Sequence, residues 1–193
     1  DPSPQILRGT IGIVVPNLNE IEESLDTVKD QLIGSRFSYK RKNDTIEVLC
    51  PWGNKFKIHE PAAEYGNMQL GLPYVELSAP QESSKKIARF YAEIMGATVH
   101  NGQRNGAPCA SITTGSAQYI HFIETDEPQP DYDGHHVAIY IADFAGPYDK
   151  LRERNLISRE SDEHEWRFID IIDLDSNEVL FQIEHEVRSV THP

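Results

Sequence analysis

Cysteine is scarce in this chain: Cys50 and Cys109 are the only two among 193 residues. They show no CxxC spacing and are too few for a disulfide framework, which excludes a stapled secreted scaffold and a thiolate zinc cluster. Basic residues are also few, 18 against 31 acidic, for a net charge of −13. Phosphate binding needs concentrated Lys and Arg, so neither nucleic acid nor an anionic membrane is expected as the main partner. No apolar run approaches the length of a membrane span, and no signal-peptide pattern is present. The expected location is a reducing cytoplasm. An HExxH zinc motif is absent too, and the run His185–Ser189 should not be mistaken for one. The chain opens at Asp1 without Met, and is expected to be a trimmed piece of something longer.

With 38% hydrophobic and 25% charged residues, the composition is that of a folded chain long enough for a real core. Three stretches share one order of elements. The first opens with GTIGIVVPN, where Ile11, Ile13 and Val15 alternate as a strand, and continues into a helix with Ile21, Leu25, Val28 and Leu32 on one face and Gly34 as its stop. Three short strand candidates follow, FSYKRK, TIEVLC and NKFKIHE. The second stretch opens with LPYVELSAP. Its helix carries Ile87, Phe90, Tyr91, Ile94 and Met95 on one stripe, with Gly96 at the C-terminal cap position, before ATVHNG, CASITT and QYIHFIE. After the polar linker ETDEPQPDYDG, the third opens with HVAIYIAD, where Asp143 can cap a helix with Phe144, Tyr148 and Leu151 facing inward; ISRE, WRFIDIID and EVLFQIEHE close it. A repeat of roughly 60 residues with one supersecondary unit per copy implies paired modules or an array. The expected fold class is α+β, built from repeated βαβββ units.

These local sequences resemble the vicinal oxygen chelate superfamily, which includes glyoxalases, bleomycin-resistance proteins and extradiol ring-cleaving dioxygenases. The resemblance rests on the opening strands HVAIYIAD, YVELSAPQ and TIGIVVPN, on the helix ending FYAEIMGATV, and on the turns CPWGNKFKI and DLDSNEVLF before the last strands. It implies curved mixed sheets that form a concave site, with the helices on the outer face. It also implies a divalent metal, Fe, Mn or Zn, held by residues of the first and last strand of each unit. By this resemblance residues 1–65 form a structural unit, and 70–193 hold the paired units 70–126 and 134–187 that make the site. The implied dimer, or homo-oligomer, fits the odd number of units.

Alternation then assigns faces. Ile120 and Phe122 point to the helices, which leaves Tyr119, His121 and Ile123 on the cavity side. Val179, Phe181 and Ile183 go to the core, which leaves Leu180, Gln182 and Glu184. Tyr74, Glu76 and Ser78 share a face, as do His136, Ala138 and Tyr140. The family's ligand positions fall on Tyr74 and His121 in the second unit and on His136 and Leu180 in the third; in the first they fall on Thr10 and Lys57. His121 and His136 are the expected metal ligands, since imidazole suits divalent first-row ions. Leu180 cannot coordinate. Gln182 could move into its slot, whereas Glu184, four residues on and roughly 13 Å away at strand rise, is expected to meet substrate. Tyr74 and Tyr119 join Gln182 and Glu184 as expected substrate contacts, with Glu76 and Tyr140 as proton-transfer groups.

Plainer readings stand beside these. His136 is equally well a surface histidine, and Glu76 is more simply a salt-bridge partner. His59, His164 and His185 lie in polar segments and are expected to be solvated, as are the acidic clusters ETDEP and RESDEHE. Cys109 is expected to be an inert thiol. Two functions follow: a metal-dependent small-molecule enzyme of the vicinal oxygen chelate type (ring-cleaving dioxygenase, lyase or isomerase), or a metal-free ligand-binding protein of the bleomycin-resistance type. A scaffolding subunit is the third possibility.

Overall fold

The computed structural model describes residues 4–192; the expected chain ends at 1 and 193 lie outside them. Three βαβββ units follow one another. The first has β1 (Gly9–Val14), α1 (Leu18–Lys29), β2 (Ser38–Lys42), β3 (Thr45–Leu49) and β4 (Lys55–His59). The second has β5 (Tyr74–Pro80), α2 (Ser84–Glu93), β6 (Val99–Arg104), β7 (Ala107–Gly115) and β8 (Gln118–Thr125). The third has β9 (His136–Ile141), α3 (Ala145–Glu153), β10 (Ile157–Asp162), β11 (Glu165–Ile172) and β12 (Val179–Ser189). Hydrogen-bonding order runs β2-β3-β4-β1-β5-β8-β7-β6 through a sheet of eight strands and β10-β11-β12-β9 through a sheet of four. The sheets are mixed: β1 is parallel to β4 and β9 to β12, while the hairpin neighbours are antiparallel. This is the α+β repeat the sequence implies. No helix among the described residues is long and apolar enough to cross a membrane.

The chain forms two compact units, one of residues up to Ser78 with Gly115–His121, the other of Ala79–Thr114 with Phe122 onward. In the first, the Asn17 side chain caps α1 by accepting from Asn19 N–H at 2.9 Å and Glu20 N–H at 3.4 Å. Ile21 and Leu25 then pack with Ile13, Val15, Leu18, Ile46 and Ile58 into one core. Val28, expected on the same stripe, is exposed because the helix ends there.

In the second compact unit α2 has no cap from its own Ser83 side chain. Glu124 of β8 substitutes, its carboxylate accepting from the Glu82 and Ser84 N–H groups at 2.9 Å each and from the Ser84 hydroxyl. Burial works to raise the pKa of Glu124, but these hydrogen bonds outweigh it and hold the carboxyl below its usual range. Gly96 closes the helix with φ +65°, as the sequence suggests. The α2 stripe meets the four-stranded sheet: Phe90 contacts Phe168, and Tyr91 contacts both Phe122 and His185. On the exposed side of α2, Lys86 pairs with Asp173 and Arg89 with Asp175, which ties the helix to the turn before β12.

Two expected surface histidines are buried. His185 is fully buried, because β12 continues its alternation through Phe181, Ile183, His185 and Val187, all inward. It stacks on Phe168 at 4.2 Å, donates from Nδ1 to the Ile183 carbonyl at 3.0 Å and accepts at Nε2 from the Tyr91 hydroxyl at 2.6 Å. Both ring nitrogens are thereby satisfied in the neutral form. His59 is buried as well, with Nε2 2.8 Å from the Tyr74 hydroxyl. Polar flanks in the sequence hid both, since the strands run on beyond their apolar residues. Within RESDEHE, Glu165 is buried too, because it opens β11. Val179, expected in the core, is exposed at the start of β12, where the β11–β12 register slips.

Burial brings the His185 pKa down from 6.5 to about 4. The unfolded chain takes up a proton near the higher value, whereas the folded chain resists until the lower one. The stabilisation is therefore complete above pH 6.5 and lost as the pH falls towards 4, by about 3 kcal/mol over the window. Urea denaturation at both ends of that window is expected to show this loss, and His185→Gln to lessen it. Tyr91→Phe, which leaves Nε2 buried without a donor, is expected to cost about 1–3 kcal/mol at neutral pH in the same measurement.

Candidate functional site

In the first compact unit, β1 and β5 pair antiparallel with Thr10 opposite Glu76, and β1 and β4 pair parallel with Gly12 opposite Lys57 and Val14 opposite His59. Strand alternation therefore puts Thr10, Gly12, Lys57, His59, Tyr74 and Glu76 on one face, away from α1. The Tyr74 ring lies over Gly12 so closely that a Cβ there would stand 2.6 Å from it. His121 reaches Tyr74 at 5.9 Å between ring centroids and stacks on Tyr119 at 5.6 Å. The expected grouping of Tyr74, Tyr119 and His121 is thus present. The chain's own side chains also cover it: Tyr65 and Met68 pack with Val14, Tyr74 and Tyr119, and Tyr74 and His121 are buried. Glu76 remains half-buried at the edge of the group.

Ligand chemistry is poor on this face. A hydroxyl, an ammonium, a phenol and one imidazole (Thr10, Lys57, Tyr74 and His121) occupy the positions that the resemblance assigns in the first and second units, and an ammonium repels a cation. Cys109 is buried on β7, as expected of an inert thiol.

The four-stranded sheet carries a different face. His136, Ala138 and Tyr140 are exposed on β9. In the parallel β9–β12 register they stand beside Glu184, Glu186 and Arg188 respectively. Leu180 precedes the paired stretch; the carboxylate alongside His136 is Glu184, which strand counting had set well away from that slot. Gln182 lies nearer the turn, exposed, and donates to Asp170 at 2.8 Å.

Two guanidiniums organise the row. Arg167 of β11 reaches Glu165 and Glu184 at 3.0 Å each and Glu186 at 2.7 Å. Arg188 pairs with Glu186, lies 3.6 Å from Glu165 and donates to the Tyr140 hydroxyl at 3.2 Å, with its guanidinium 5.9 Å from that ring's centre. The Ser161 hydroxyl and the Arg167 and Arg188 charges, acting against burial, hold the Glu165 carboxyl below its ordinary range. Arg167, Glu165, Glu186 and Arg188 were missed as site residues. Their signal was the charge on alternate positions, 165 and 167 in one strand and 184, 186 and 188 in the next, which puts each set on one sheet face.

A divalent ion needs three or four donors. Among the described residues no group of three or more His, Cys, Asp or Glu could hold one. His121 stands with tyrosines, and the carboxylate beside His136 is engaged by Arg167. The donors among the described residues do not fit the metal that the resemblance implies.

No protein-family description matches the sequence, and no curated protein is similar to it at a significant level. Solved structures do match. A candidate dioxygenase from Bacillus subtilis superposes with a TM-score of 0.61 at 15% identity, over 96% of this chain and 63% of its own. A single-residue variant of glyoxalase I from Zea mays gives 0.57 at 14% identity, over 94% of this chain and 66% of its own. The 2,2',3-trihydroxybiphenyl 1,2-dioxygenase of Sphingomonas wittichii gives 0.52 at 11% identity, over 98% and 70%. The chain spans less than two thirds of the length of the first two. At such identities the likeness is one of fold, and it agrees with the strand order and the repeated unit. The chain has the fold of the vicinal oxygen chelate superfamily.

Proposed function

We propose that the chain binds a small organic ligand without a metal, on the open face of the four-stranded sheet. One observation carries this reading: Glu165, Glu184 and Glu186 on that face each lie within ion-pair distance of Arg167 or Arg188. A carboxylate so engaged is a poor metal ligand, and two fixed guanidiniums repel a cation while offering hydrogen bonds to ligand oxygens. Tyr140 supplies an exposed aromatic wall beside Arg188, and His136 a second hydrogen-bonding group on the same face. The similar structures include enzymes of hydroxylated aromatic compounds, which makes aromatic vicinal diols the first ligand class to test.

A second reading has its own support. Glu184 stands in register beside His136, a carboxylate and an imidazole on neighbouring parallel strands, which is half of a four-donor metal site. A metal-dependent enzyme would require Arg167 to release Glu184 and further ligands to come from outside the described residues.

Elemental analysis of the purified chain, followed by thermal-shift titration with catechol-type diols in the presence of chelator, separates the two. The expected result is substoichiometric iron, manganese and zinc, with a chelator-resistant shift that Arg188→Ala and Tyr140→Ala each reduce at least tenfold in apparent affinity. Stoichiometric metal that is lost in His136→Ala or His121→Ala would overturn the metal-free reading. Arg167→Met separately leaves Glu165, Glu184 and Glu186 facing one another with Arg188 alone to offset them. It is expected to destabilise the fold by about 2 kcal/mol at neutral pH, and less at acidic pH where they are protonated, as read by urea denaturation.

A further inference from the structure

Strand β2 (SYKRK) is an outer edge of the eight-stranded sheet, and charge alone guards it. It contains neither Pro nor Gly, and its register with β3 is regular from Ser38 opposite Leu49 to Lys42 opposite Thr45. Proline and bulges, the other common devices that keep an edge strand from pairing with another chain, are absent from it. β10, by contrast, slips register twice against β11. Three of the chain's 18 basic residues stand in these five positions of β2, in a molecule of net charge −13.

The neighbouring hairpin fixes which backbone groups of β2 point outward. Cys50 N–H donates to the Asn54 carbonyl at 2.9 Å, so along β3 the backbone groups of Ile46 and Val48 face β4 and those of Thr45, Glu47 and Leu49 face β2. Their partners Lys42, Lys40 and Ser38 therefore turn their backbone inward, and the N–H and C=O groups of Tyr39 and Arg41 point away from the sheet. Side chains divide by face. Lys40 and Lys42 lie exposed on the side opposite α1, while Tyr39 and Arg41 reach back to that helix and bond to Asp26 and Glu22.

The lysines decide which strand can come in. Lys40 and Lys57 are the two cross-strand partners of Glu47, and Lys42 pairs with it at 2.8 Å. The Lys42 hydrogen bond and the charges of Lys42, Lys57 and Lys40 hold the Glu47 carboxyl below its ordinary range. At physiological ionic strength an incoming strand feels charges within about 8 Å, so it meets these lysines rather than the chain's overall negative charge. A second copy of β2 would set lysine against lysine, which is unfavourable, whereas carboxylates opposite them are favourable. We infer that β2 takes up an extended segment of another protein, antiparallel, with carboxylates opposite Lys40 and Lys42 and an uncharged residue between them. The uncharged residues exchange backbone hydrogen bonds with Tyr39 and Arg41. Lys40 and Lys42 then fall in non-hydrogen-bonded pairs, where Cα atoms are about 4.5 Å apart and side chains approach most closely. A carboxylate at the intervening place would face α1 and meet Glu22 and Asp26. Backbone bonds supply the affinity, and the lysines select the partner and its register. The pairing does not depend on what the open face of the third unit binds.

A synthetic peptide of alternating glutamate and threonine, titrated by calorimetry, tests this pairing, with amide hydrogen exchange as a second reading. The peptide is expected to bind and to slow exchange at the Tyr39 and Arg41 amides. Methylating its threonine amide nitrogens, or grouping the same residues into one glutamate block and one threonine block, should weaken binding about tenfold or more. Lys40→Glu combined with Lys42→Glu should weaken it at least as much, and should accept a peptide of alternating lysine and threonine instead. Should that double variant lose its circular-dichroism spectrum, Lys40→Ala with Lys42→Ala is expected to lose the glutamate peptide without gaining the lysine one. No binding, equal binding of the blocked or methylated peptide, affinity indifferent to the lysine variants, or protection that misses Tyr39 and Arg41 would overturn the proposal. So would assembly of the chain with itself through β2.

Discussion

The pairing of each unit's opening strand with its closing strand is the constraint from which the rest follows. Chain direction makes that pairing parallel in the first and third units, and a parallel neighbour can be reached only by a long crossover. The helix and the intervening hairpin supply it. Once the two strands lie side by side, their alternate residues form one row across the sheet, and whatever occupies that row decides what the unit can do. In the first unit the row holds Gly12 beside Lys57 and Val14 beside His59; in the third it holds His136 beside Glu184 and Tyr140 beside Arg188.

The same scaffold has thus been used in two ways. In the first compact unit the face opposite the helix is packed with Tyr65, Met68 and Tyr74, and the loss of a side chain at Gly12 is what lets the Tyr74 ring lie down on β1. In the third βαβββ unit the corresponding face keeps charge and exposure. Arg167 and Arg188 hold three carboxylates in place, so the face is rigid and hydrogen-bonding rather than apolar. An arrangement of this kind orients polar ligand groups well and a bare cation poorly, because Glu165, Glu184 and Glu186 already have cationic neighbours.

Buried polar groups elsewhere follow the same rule of full pairing. His185 has one nitrogen on a backbone carbonyl and the other on the Tyr91 phenol, and burial keeps the ring neutral. Glu124 spends its carboxylate on the unsatisfied amides at the start of α2. Both contacts join segments far apart in sequence, and both fix the helix of the second unit against the strands that follow it.

Much of this was legible in the residues. Period-two and helical patterns located the repeated units, the turn residues bounded them, and Gly96 announced a helix end, because these signals depend only on neighbours along the chain. The shared face of Tyr74, Tyr119 and His121 also followed, since alternation within a strand is a local property. Other features turned on register between strands, which local sequence does not encode. Counting along β12 set Glu184 well away from the His136 slot, while the parallel pairing brings the two side by side. Likewise His185 and His59 read as surface residues by their polar neighbours, and only the continuation of β12 and β4 into the core made them buried. The sequence by itself determined the elements, their repeat and the face each side chain takes. The tertiary structure alone decided which faces meet, which charges neutralise one another and which strand edge is left open, because those depend on distances across the sheet rather than along the chain.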